Sequence, residues 1–171
     1  MITFTIPGEP VAKGRPRATS INGRARMYTP KKTVNYESMV ALAAQQAMAG
    51  RALIEGPVEL SFEARFSIPK SWPKKRLAAQ ADYPEFVTKK PDLDNLVKAL
   101  GDGMNGVVFA DDSQIAQNGV CRKVYGAVPG VTVTVRSLLE DRISITVLTG
   151  PRVPVPLTPG CLGVLTAGPT I

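Results

Sequence analysis

The sequence predicts an α/β (α+β) fold: a single domain in which a mixed β-sheet packs with helices. Three observations predict it. Residues 2–6, 58–68 and 131–135 alternate apolar with polar or small side chains, the pattern of half-buried strands. Around residues 30–48 and 93–104 the apolar residues instead recur at helical spacing, and the two patterns are interspersed along the chain. The 171 residues suffice for one domain with a real core and a tail, and not comfortably for two.

Ile2, Phe4 and Ile6 alternate with Thr3 and Thr5, giving a first strand that ends at Pro7-Gly8. The basic stretch 11–27, interrupted by Gly14, Pro16 and Gly23, has no apolar period and reads as a loop or irregular hairpin. Thr29 and Pro30 suit an N-cap and first helical position. The helix they open is expected to run to about Met48, to stop at Gly50, and to pack Tyr36, Met39, Val40, Ala43 and Ala47. Val58, Leu60, Phe62, Ala64, Phe66 and Ile68 alternate throughout the next strand. A loop and short helix at 69–81 follow, with Ser71 as a cap and Trp72 as a packing anchor. A polar linker, 83–90, leads to the next helix.

Late in the chain, residues 115–125 read as a strand and 131–135 as its hairpin partner across 126–130. Residues 143–148 suggest an edge strand. Beyond them, 150–171 contain Pro151, Pro154, Pro156, Pro159 and Pro169, four glycines and one charge at Arg152, so no regular element is expected. The division is therefore a domain at 1–148 and a Pro/Gly-rich flexible tail at 149–171.

A net charge of +7 and a pI near 9.6 favour a polyanionic partner. Lys13, Arg15, Arg17, Arg24, Arg26, Lys31 and Lys32 fall between Val11 and Lys32 without one acidic residue. Lys70, Lys74, Lys75 and Arg76 form a second cluster, and Lys89-Lys90 a third. DNA-backbone contact is the functional reading of these clusters; a solvated loop is the plain one. Histidine is absent, which excludes imidazole as a base or metal ligand. Cys121 and Cys161 form no disulfide framework and suit packing. With neither a membrane-length apolar run nor a signal sequence, the expectation is a soluble cytoplasmic protein.

Five of the fourteen acidic residues lie between Lys89 and Ile115: Asp92, Asp94, Asp102, Asp111 and Asp112. Leu93, Leu96, Val97, Leu100 and Met104 form the apolar face of a helix there, opposite Asp94, Asn95, Lys98 and Asp102. Within a continuous helix Asp92 and Asp94 would point about 200° apart. They converge only if Asp92 lies in an extended lead-in, which Pro91 favours by keeping Lys90 out of the helix. Two carboxylates about 4 Å apart repel by roughly 4 kcal/mol at an effective dielectric near 20, a cost that a divalent cation removes. Oxygen ligands without nitrogen or sulfur suit Mg²⁺. The plain alternative makes Asp92 a cap, Asp94 and Lys98 a surface pair at four-residue spacing, and Asp111-Asp112 a turn.

The run Asp92-Leu93-Asp94-Asn95-Leu96, with Lys98 and then Asp111-Asp112, resembles the core of the RusA family of Holliday-junction resolvases. The resemblance extends to GEPVAKGRPR, to the helix start YTPKKT and to PGVTVTV, covering about residues 1–137. It implies that Asp92, Asp94 and Asp112 bind a catalytic Mg²⁺, that Lys98 is required for cleavage, and that the protein acts as a homodimer. The expected activity is Mg²⁺-dependent, structure-selective hydrolysis of DNA, resolving four-way junctions by paired symmetric nicks in recombination and repair. Lys13, Arg15, Arg17, Arg24, Arg26, Lys31, Lys32, Lys74, Lys75, Lys89 and Lys90 are the candidate DNA contacts. The alternatives are a nuclease of flaps or forks and a non-catalytic binder of branched DNA.

Overall fold

The structure is a computed structural model that describes residues 1–21 and 24–139. The elements are β1 (Ile2–Pro7), β2 (Arg17–Ile21), β3 (Arg24–Tyr28), α1 (Lys31–Met48), β4 (Val58–Ser67), α2 (Lys74–Asp82), α3 (Leu93–Met104), a 3-10 turn (Asp112–Gln114), β5 (Ile115–Gly126) and β6 (Gly130–Ser137). This is a mixed α+β domain. The expected edge strand at 143–148, the tail at 149–171 and Cys161 lie outside the described residues.

Four strands form one sheet in the order β1-β6-β4-β5, and β2 and β3 form a separate antiparallel pair. The basic stretch is thus a loop at 11–16 followed by a regular ladder from Arg17↔Tyr28 to Ile21↔Arg24. In the main sheet β6 is antiparallel to both β1 and β4, whereas β4 and β5 are parallel. Alternation sorts the side chains. Ile2, Phe4, Ile6, Val58, Leu60, Phe62, Ala64, Val131, Val133 and Val135 join the buried cluster that includes Tyr36, Val40, Leu96 and Leu100 from α1 and α3. The opposite face is polar, with Thr3 hydrogen-bonded to Thr134 at 3.1 Å and Thr5 to Thr132 at 3.3 Å.

The hairpin expected between β5 and β6 does not form, because β4 lies between them. The residues at the two ends of the connection pair with β4, Gly126 opposite Ser67 and Gly130 opposite Arg65. Two strand spacings are about 9–10 Å, within the roughly 13–14 Å that four extended residues span. A hairpin-length link can therefore step over an intervening strand. The polar face suits this order: Glu63 on β4 pairs with Arg122 on β5 at 2.5 Å, and Glu59 with Arg136 on β6 at 3.2 Å.

Helix α1 has the expected extent, ending at Ala49 in the left-handed conformation before Gly50. Its N-cap is Pro30, one residue later than expected, and no side chain caps it. The buried row is Thr33, Tyr36, Val40, Ala44 and Met48, and Met39 is 42% exposed. Successive four-residue steps put Val40, Ala44 and Met48 on one line, which turns Met39 outward. Ala43 and Ala47 are half-buried against the core. Helix α2 starts at Lys74 after Pro73, so Ser71 is not its cap. Trp72 packs edge-on against Tyr125, with ring centroids 4.8 Å apart. Cys121 is half-buried, and burial raises its thiol pKa.

Candidate active site at the start of the third helix

The approach to α3 is fixed from outside the helix. Lys123 on β5 donates to the carbonyl oxygens of Lys89 at 3.0 Å and Pro91 at 2.7 Å. Asp92 follows in extended conformation (φ −72°, ψ 150°) as the N-cap residue, and its side chain makes no capping hydrogen bond. Asp94 stands exposed in the first turn, where the helix dipole favours negative charge, and accepts a bond from Asn95 Nδ2 at 3.3 Å. Among the described residues neither Asp92 nor Asp94 has a cationic side chain as partner. Their negative charge faces solvent.

Further along α3 the carboxylate of Asp102 and that of Asp112, packed against the helix, are matched by lysines. Lys98 Nζ lies 2.5 Å from Asp112 Oδ2 and 3.0 Å from Asp102 Oδ1, so it turns away from Asp94 and pairs toward the helix middle. Hydrogen bonds to Asp112 and then Asp102 hold the Lys98 ammonium well above the ordinary lysine range. Lys13, reaching in from the loop at 11–16, meets Asp102 at 2.6 Å and Glu37 on α1 at 2.5 Å. Its backbone N–H donates to the carbonyl of Asn95 at 2.9 Å, and Gly14 N–H donates to Thr33 Oγ1 at 3.1 Å. The loop is therefore clamped between α1 and α3. Burial opposes charge on Asp102, but bonds from Lys13 and Lys98 outweigh it and hold the carboxyl below its ordinary value. For Lys13 too, burial works against the charge, and bonds to Asp102 and Glu37 raise its pKa.

Asp111 and Asp112 divide their roles. Asp111 Oδ1 accepts from Ser113 N–H at 3.0 Å, while Gln114 Oε1 accepts from Asp111 N–H at 3.3 Å, a reciprocal cap. Gln114 Nε2 also donates to the carbonyls of Ile54 and Gly56, anchoring the turn to the β4 lead-in. Asp112 is then carried against α3 at Gly101, where an added Cβ would lie 3.4 Å from Asp112 Cβ. Gly101 is seven residues beyond Asp94, about 10 Å along the axis. Asp112 thus returns to the middle of the helix and not to its first turn. Among the described residues no three His, Cys, Asp or Glu side chains gather closely enough to hold a metal ion. The donor chemistry at Asp92 and Asp94 nonetheless fits a hard cation, being carboxylate oxygen with no internal countercharge.

The candidate DNA contacts frame this helix unevenly. Lys89 and Lys90 are exposed immediately before Asp92; Arg15 is exposed beside the clamped Gly14; and Arg17 begins β2. Arg24 and Arg26 stand on β3, Lys31 and Lys32 open α1, and Lys74 and Lys75 open α2. Lys13 differs, its ammonium being taken by two carboxylates. Asp102 and Glu37 are the members of the network that sequence reasoning did not assign. Asp102, four residues after Lys98 on the polar face, carried a legible signal. Glu37 carried none, because only the packing of α1 beside α3 brings it in.

Carboxylates and a lysine thus share one helix, with cations ahead of it and a basic loop docked beside it. Residues 7–136 match the family model described as endodeoxyribonuclease RusA. The chain belongs to that family of DNA endonucleases. It is also 36% identical over 139 residues to YqaN, an uncharacterised protein of Bacillus subtilis (strain 168), spanning 80% of this chain and 96% of that one. No helix among the described residues is long and apolar enough to cross a membrane.

Proposed function

We propose that the chain is a Mg²⁺-dependent, structure-selective endodeoxyribonuclease that resolves four-way DNA junctions as a homodimer. The observation that carries the reading is the unneutralised pair Asp92 and Asp94 at the start of α3, beside Asp102 and Asp112, which are matched to lysines. Asp92 and Asp94 would hold the ion, with Asp112 as the third ligand on leaving Lys98 for the first turn, and the ion would supply water activation and charge neutralisation at the phosphodiester. Asp92 approaches from extended backbone and Asp94 from the first turn, so both carboxylates are presented at one helix end. Lys98 balances Asp112 and Asp102, whose hydrogen bonds favour its ammonium form, and would stabilise charge on the phosphate or the departing oxygen. Lys89, Lys90, Lys31, Lys32 and Arg15 would seat the DNA backbone on either side. A two-fold dimer presents two such sites to opposing strands, as paired nicking requires.

The test is cleavage of a synthetic four-way junction against a duplex of the same sequence, with Mg²⁺ or chelator, for the wild type and Asp94→Asn. Symmetric Mg²⁺-dependent nicks that vanish in Asp94→Asn, while binding persists, are expected. Preferential cutting of flaps or forks would move the substrate assignment within branched DNA. Junction binding with no cutting under any condition would reduce the protein to a binder and the acidic residues to helix capping.

A further inference from the structure

Ahead of the carboxylates lies a cavity of about 330 Å³ between α2 and β5, lined among others by Trp72, Tyr125, Phe86, Arg76, Glu85 and Lys89. Its aromatic groups are not equivalent. The Arg76 guanidinium lies 3.8 Å from the centre of the Trp72 ring, and Tyr125 meets that ring edge-on, so Trp72 is already engaged. Phe86 is 63% exposed. A single exposed apolar side chain needs no explanation, but the backbone that carries this one is pinned to β5. Phe86 bridges Val124, and the residues on either side of it are bonded to β5, through Val87 N–H to Lys123 O at 3.0 Å and Tyr125 N–H to Glu85 O at 2.9 Å. Val87 points inward and is buried, which turns Phe86 outward.

The charge around the cavity is net positive. Arg76 is ion-paired with Glu85, leaving the exposed Lys89 as the unmatched cation at the rim. The cavity is also linked to the site through the chain. Lys89 precedes Asp92 by three residues, a reach of at most about 10 Å, and Lys123 fixes that stretch at both Lys89 and Pro91. An exposed ring on pinned backbone, an adjoining cation and a hydrogen-bonded link to the carboxylates fit a nucleotide next to the one being cut.

Building on the proposed nuclease reading, we infer that this cavity receives a nucleobase unstacked at the branch point of the DNA, with its face on Phe86 and its phosphate toward Lys89. The site selects branched over continuous duplex DNA, because only at a branch is a base free to leave its stack without breaking a continuous helix.

The chain's single tryptophan is Trp72, so its emission reports on this cavity. Full-length Asp94→Asn protein is titrated with a labelled four-way junction while anisotropy and tryptophan emission are followed together. Emission should change in parallel with binding for the junction and not for duplex. Phe86→Ala should weaken junction binding about 5- to 140-fold, the range for losing one stacked base, and Phe86→Tyr should restore it. A junction with abasic nucleotides at the branch keeps its phosphates and should lose the emission change. Binding with unaltered emission, a Phe86→Ala affinity within twofold of its parent, or an undiminished response to the abasic junction would each overturn the cavity assignment while leaving the nuclease reading intact. Absence of any junction binding would instead overturn both.

Discussion

The charges around α3 separate residues paired with one another from those that face solvent. Lys13→Met leaves Glu37 and Asp102 without their shared cation. Because these groups are partly solvated, the expected loss is about 1–2 kcal/mol, below the 3–5 kcal/mol typical of a broken buried pair. Urea unfolding checks it, and Lys13→Arg should recover part of the loss. The pH dependence follows from the directions of the shifts. Asp102 has a depressed folded pKa, so its contribution is complete above the ordinary value of 3.8 and disappears as pH falls through the lower folded value. Lys13 has a raised pKa, so its share is intact below 10.5 and is lost as pH rises through the higher folded value. Asp102→Asn should flatten the acid limb of the stability profile, and an unchanged limb would remove Asp102 from this role. Much of this was legible beforehand: the extended Asp92, the polar face and the cation-rich approach all follow from local pattern. Glu37 as a partner of Lys13 was not, because it lies across the α1–α3 contact, nor was Asp112 as a partner of Lys98, because it reaches back from the turn after the helix.

Among the elements, α3 depends on two glycines with opposite expectations. An added Cβ at Gly103 would lie 2.7 Å from Val40 Cβ and 3.0 Å from the Glu37 carbonyl oxygen, a β-branched side chain and a backbone that cannot swing aside. Gly103→Ala should therefore destabilise by about 1–3 kcal/mol despite its better helix propensity. At Gly101 the nearest atoms are at 3.4 Å, so Gly101→Ala should be neutral or stabilising by up to about 1 kcal/mol. Thermal unfolding of the pair checks both signs, and equal effects would count against the α1–α3 crossing described. Helix existence and extent were readable from spacing for α1 and α3. The buried row of α1 was readable only in part, since Met39 and Val40 are adjacent and the choice between them is made by β1 and α3. The positions of β5 and β6 were not readable, because link length is the same for a hairpin and for a step across β4.

For the whole molecule, the charge of +7 acts through exposed lysines whose positions do not involve the carboxylate network. Lys31→Gln with Lys32→Gln should weaken binding to all DNA arms alike and lower the slope of log affinity against log salt by about 1.8, if each lysine meets one phosphate. Salt titrations of junction binding measure this directly. An unchanged slope would place the DNA elsewhere than at the start of α1. The strand order bears on the protein's synthesis as well. Ile2 is paired with Val135, so the first strand made has the last described one as its neighbour. At about 5–20 residues per second the ribosome takes roughly 7–27 s to make the intervening 133 residues, and during that time Ile2, Phe4 and Ile6 lack the neighbour that completes their side of the sheet. The carboxylate helix is made well before the strand that closes this sheet, so a nascent chain already carries Asp92, Asp94 and Lys98 while its framework is unfinished. Timing of translation thereby delays the completed nuclease until the coding region through Ser137 has been read.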